Sequence, residues 1–68
     1  QQPERAIEDF DQAISLDPRH ASAYANRARA YTILGRDTEA TRDVVSAVQL
    51  GFNLATLELE IKRLQERR

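Results

Sequence analysis

Few side chains in this sequence have types and spacings suited to chemistry. There is one histidine, His20, and there are two close carboxylate pairs, Glu4 with Glu8 and Glu58 with Glu60. Residues 22–29 add a run of donors, Ser22, Asn26, Arg27 and Arg29. A carboxylate pair does acid–base work inside a pocket that separates the two pKa values, beside a nucleophile, a phosphate-cradling loop or a metal. None of those signatures accompanies either pair. His20 follows Pro18 near a helix start, without a second histidine, a cysteine or a suitably spaced acidic cluster, so a local cap or an exposed loop residue accounts for it better than a metal ligand or general base. The chain reads as non-catalytic, with no cofactor and no metal site. The donors of residues 22–29 suit a different task. A side-chain amide both gives and accepts hydrogen bonds along an extended backbone, and a guanidinium grips a carboxylate at two points.

The elements that must position these residues are helices. Two glycines and two prolines punctuate 68 residues rich in Ala, Leu, Arg and Glu, side chains that lose little rotamer freedom in a helix. Pro3 suits a first turn; Asp17-Pro18, Gly35 and Gly51 are breaks. The pattern predicts four helices at about 3–16, 21–34, 38–50 and 54–67, with short linkers and with Asp37 and Asn53 as helix-starting acceptors. Each segment carries an apolar stripe at helical spacing. The first has Ala6, Ile7, Phe10, Ala13, Ile14 and the nearby Leu16; the second has Tyr24, Ala28 and Tyr31 among small alanines that permit close backbone approach. The third has Val44, Ala47 and Val48, and the fourth Leu54, Leu57, Ile61 and Leu64. That last stripe is too short for a coiled-coil seam, so packing on the preceding hairpin is expected.

Composition excludes several classes. There is no cysteine, hence no disulfide framework or thiolate metal site, and no apolar run approaches the ~20 residues of a membrane span, so no direct membrane insertion is expected. The formal charge of −1 hides a local charge of −4 in residues 1–18 and of +4 in residues 19–36. A near-neutral whole without interleaved exposed aromatics argues against nucleic acid as a partner, while the local basic strip suits an acidic one.

Comparing the sequence with itself at an offset of 34 aligns Ala6 with Ala40, Asp9 with Asp43, Ala13 with Ala47 and Leu16 with Leu50; Phe10 meets Val44, and Ile14 meets Val48. This period, with Ala6, Phe10, Ala13 and Pro18 followed by Tyr24, Ala28, Tyr31, Ala40, Val44 and Ala47, resembles the tetratricopeptide repeat (TPR), a helix-turn-helix unit of 34 residues. The resemblance covers residues 1–52. It implies an all-α fold of antiparallel helical hairpins in a right-handed superhelix: residues 1–18 as the second helix of an incomplete unit, 19–52 as a complete unit, and 53–68 as a C-terminal capping helix. Because the chain enters in mid-unit, further repeats are expected upstream. Three positions depart from the pattern: Arg27 replaces the favoured Leu, Val44 the aromatic and Phe52 the closing Pro. Glu58 and Lys62 stand where a further repeat would want an aromatic and a small residue, and Glu60, Arg63, Glu66, Arg67 and Arg68 give the last helix the polar outer face of a cap.

In TPR proteins the first helix of each unit lines a concave groove. The resemblance therefore implies a scaffold that binds a peptide or partner protein, with Ser22, Asn26 and Arg29 as polar contacts and Ala25 and Ile33 as apolar floor. Residues 24–28 also resemble part of the groove of TPR co-chaperones that clamp the terminal carboxylate of a chaperone tail, through Asn26 alone. The alternative is a structural or self-association segment of a larger repeat protein, with a homodimer formed through the open N-terminal edge of Ile7, Phe10 and Ile14.

Overall fold

A computed structural model describes residues 2–68; Gln1, the first residue of the expected half-unit, lies outside the described residues. Helix α1 (Pro3–Leu16) begins on Pro3, whose missing N–H is no loss in a first turn, and Glu4 there complements the helix dipole. It stops at Asp17, held extended as a residue before proline should be, and the Asp17 carboxylate accepts from the Arg19 amide at 3.1 Å. Helix α2 (Ala21–Ile33) and helix α3 (Asp37–Gln49) end alike. Gly35 and Gly51 take φ of 77° and 107°, which lets Arg36 N–H reach Tyr31 C=O and Phe52 N–H reach Ala47 C=O, both at 2.9 Å. Helix α4 (Leu54–Arg67) starts under Asn53, whose side chain accepts from the Thr56 amide at 2.8 Å. No strand occurs among the described residues.

Asp37 does not act as the expected cap. It is the first residue of α3, and its carboxylate accepts from both terminal nitrogens of Arg68 at 2.7 Å. Arg68 also donates to Thr32 C=O at 3.0 Å, tying the end of α4 to the α2–α3 turn. Those hydrogen bonds hold the Asp37 carboxyl below its ordinary range.

Helix α2 is the hub. It packs against all three others, whereas α1 packs against α2 alone. The hub role explains its composition: Ala23, Ala25, Ala28 and Ala30 are buried, and Thr32 is buried with its hydroxyl donating to Ala28 C=O. Ala25, Ala47 and Leu57 form the centre of the core, surrounded by Tyr24, Val44, Phe52 and Ile61. The two tyrosines are half-buried as the stripe predicts, and Tyr24 donates its hydroxyl to Pro18 C=O at 3.0 Å. Leu16 contradicts its place on the α1 stripe, being 88% exposed. At 100° per residue it lies on the side of α1 opposite the buried Ile7.

The departure at Arg27 has a structural reason. Its guanidinium grips Asp43 of α3 at 2.7 and 2.8 Å and Asp11 of α1 at 2.8 Å, joining three helices, and lies 5.7 and 5.9 Å from the rings of Tyr24 and Tyr31. The Asp43 hydrogen bonds push the Arg27 pKa still higher, so the guanidinium stays charged.

Candidate peptide-binding face

Five residues of α2 were expected to face a ligand, and the structure divides them. Asn26, Arg29 and Ile33 come together in one depression of about 210 Å³ between α1 and α2, where they meet Pro3, Ala6 and Phe10. Ile33 is 48% exposed there. Ser22 is exposed one turn earlier but does not line this depression.

Ala25 is corrected outright. It is fully buried against Ala47 and Leu57, so it is core rather than groove floor. The cause is α4, which lays Leu57 across the α2 face that periodicity along α2 alone would leave open.

Arg29 is half-buried and already partnered. Its Nε donates to Glu60 of α4 at 3.0 Å, a second nitrogen donates to the same carboxylate, Nη1 donates to the Asn26 side-chain oxygen, and its head lies 5.7 Å from the Phe52 ring. The acidic group expected beside Arg29 is thus supplied from within the chain. The Asn26 amide oxygen is engaged too, and the carboxylate of Glu60 adds negative charge where a ligand's terminal carboxylate would have to settle. This face does not favour a carboxylate clamp.

Sequence reasoning missed Glu60 as a partner of Arg29, although it lies one 34-residue period after Asn26 and hence at the same helical position. It also left out Phe10 and Ala6 of α1, whose flank closes the depression, and a second depression of about 230 Å³ lined by Arg29, Glu60, Arg63, Leu64 and Arg67. On the other side of α4 a wider depression of about 500 Å³ is lined by Thr41, Val44, Glu58, Ile61, Lys62 and Gln65. No cluster of three or more metal-ligating side chains occurs among the described residues, and no helix there is long and apolar enough to cross a membrane.

Comparison with known proteins adds the rest. Residues 10–42 match the family model described as "Tetratricopeptide repeat". The chain is 40% identical over 63 residues, 93% of its length, to "DnaJ homolog subfamily C member 7 homolog" of Schizosaccharomyces pombe, covering 13% of that protein. It is 51% identical over 45 residues to "Tetratricopeptide repeat protein 36" of Mus musculus, 66% of this chain and 24% of that one. To "Protein SGT1 homolog" of Oryza sativa it is 45% identical over 47 residues, 69% of this chain and 13% of that protein. The chain therefore spans less than a quarter of the length of these curated relatives. No solved structure matches it.

Proposed function

Because the chain belongs to the tetratricopeptide-repeat family, whose repeats mediate protein–protein interaction as non-catalytic scaffolds, we propose that it holds a peptide or partner protein against the open face of α2. Asn26 and Ile33 form the centre of that face, Ser22 its edge, and Arg29 is a strut that braces it. The single observation supporting this reading is the depression in which Asn26, Arg29 and Ile33 converge with Phe10 and Ala6. It combines an exposed apolar side chain with an amide able to hydrogen-bond a backbone, and nothing in the packing of the core requires Ile33 there. Helix α4 serves as a cap in this reading. One period after Tyr24, Ala28 and Tyr31 it carries Glu58, Lys62 and Gln65, and these polar side chains line the wide depression on its outer side.

Calorimetry with the purified physiological partner tests the reading. Ile33→Arg should weaken binding at least tenfold while leaving the helical melt intact, Asn26→Ala should cost about 0.5–1.5 kcal/mol, and Gln12→Arg on the far flank of α1 should change nothing. Unchanged affinity in both Ile33→Arg and Asn26→Ala would remove α2 as the binding face.

One observation favours the alternative of self-association through α1: Phe10 and Ile14 are only half-buried, although Ile7 of the same stripe is buried against the fold. Sedimentation that gives a dimer for the parent chain and a monomer for Ile14→Glu would establish it; a monomer at millimolar concentration would end it.

A further inference from the structure

Arg63 and Arg67 stand one turn apart on α4, both exposed, and among the described residues neither makes an ion pair. Like charges four residues apart repel one another, and neither side chain is buried in the fold. They border the depression between α2 and α4, together with Arg29, Glu60 and Leu64. Its one carboxylate is already held by Arg29, which leaves two unneutralised guanidinium groups around a half-buried leucine.

The internal repeat indicates what is missing. Arg29 and Arg63 occupy the same position one 34-residue period apart. Arg29 receives a carboxylate, Glu60, from the neighbouring helix. Arg63 sits at the edge of the same groove, and the carboxylate nearest to it, Glu60 one turn earlier, is taken by Arg29, so that among the described residues Arg63 makes no ion pair. We infer that the depression between α2 and α4 takes an acidic side chain of the bound partner, gripped by Arg63 and Arg67, with Leu64 against an apolar side chain beside it. This rests on the proposed α2 face and names the chemistry of what binds there. It also moves the acid-reading role from Arg29, which is occupied, to two arginines that are free. A peptide fits better than nucleic acid because two guanidinium groups on a chain of net charge −1 make a basic spot large enough for one carboxylate and too small to neutralise a continuous phosphate backbone.

Fluorescence anisotropy on the full 68-residue chain provides the test, with three labelled probes: a peptide alternating glutamate and leucine, its glutamine–leucine counterpart, and a single-stranded oligothymidylate of matching charge. The glutamate peptide should bind at least tenfold more tightly than the glutamine peptide. Arg63→Gln combined with Arg67→Gln should erase that difference without moving the helical melt, since both side chains are exposed, and added salt should erase it as well. Equal binding of the two peptides, indifference of the glutamate peptide to the double substitution, or preference for the oligonucleotide would each overturn the inference. The two readings separate cleanly. If both peptides bind equally and Ile33→Arg abolishes both, the α2 face stands and only the acid readout falls. If neither peptide binds, the acid readout falls, and calorimetry with the physiological partner still decides the α2 face.

Discussion

Helices α1 and α3 carry nearly the same pattern one period apart, yet they are buried differently. Ala40, Asp43 and Ala47 of α3 are 3%, 4% and 0% exposed, whereas their counterparts Ala6 and Ala13 are half-buried and Asp9 is exposed. The residues do not explain the difference. Their surroundings do, because α3 packs against both α2 and α4, while α1 leans on α2 alone. In a repeat fold each helix is finished by its neighbours, so one motif yields a core position in one place and a surface position in another.

That comparison is most easily broken at the alanines. Ala47→Arg should drive a charge into the centre of the core and cost several kcal/mol, comparable to the whole stability of a chain this size, and Ala28→Arg on the hub helix should do the same. The matched change Ala13→Arg should cost about 1 kcal/mol, since a half-buried arginine can carry its head to water. Circular-dichroism melts of the three variants decide it; equal losses would mean that α1 is as enclosed as α3.

The aspartates come next. Asp43→Ala leaves the Arg27 guanidinium to Asp11 alone and should cost about 2 kcal/mol, while Asp9→Ala should stay within about 0.5 kcal/mol. Replacing Arg27 and Asp43 together by leucine should recover much of the loss, because the repeat favours an apolar side chain at position 27 and the pair's desolvation cost disappears with it. If Asp9→Ala is as damaging as Asp43→Ala in the same denaturant titration, α1 has a partner for that carboxylate in solution.

The leucines sharpen the comparison further. Leu16→Ser should change stability by less than about 0.5 kcal/mol, and Leu50→Ser, half-buried at the end of α3, by about 1 kcal/mol.

The smallest effect is that of pH. Arg68 holds the Asp37 carboxyl below its ordinary range, and Arg36, by hydrogen bonding, does the same to Glu39. A carboxyl whose folded pKa is depressed contributes stability that is fully present above its unfolded pKa, about 4, and is lost as pH falls through the lower folded value. The melting temperature should therefore hold level from neutrality down to about pH 5 and slip below pH 4, with a smaller slip in Asp37→Asn. A melt that rises on acidification would contradict the assignment of both pairs.

Much of the fold was legible because helix periodicity and punctuation are local. The four helices, the turns at Gly35 and Gly51 and the Asn53 cap stand where the sequence puts them. What was not legible depends on contacts between distant residues. Ala25 reads as groove until Leu57 covers it, Arg29 reads as free until Glu60 takes it, and Asp37 reads as a cap until Arg68 claims it. Arg27 looked like a blemish in the repeat, because its partners Asp11 and Asp43 lie sixteen residues away on either side. At the candidate site, Asn26 and Ile33 were foreseeable from the face of one helix. The flank made by Phe10 and the basic pair on α4 required knowing which helices lie beside it.

The central claim, that a partner is held on the α2 face, is tested most directly by backbone amide chemical-shift mapping of the isotope-labelled chain titrated with its partner. The account predicts that the largest shifts fall at Ser22, Asn26 and Ile33, continuing to Arg63 and Arg67 on α4. Shifts concentrated instead at Thr41, Lys62 and Gln65, around the depression on the outer side of α4, would contradict it.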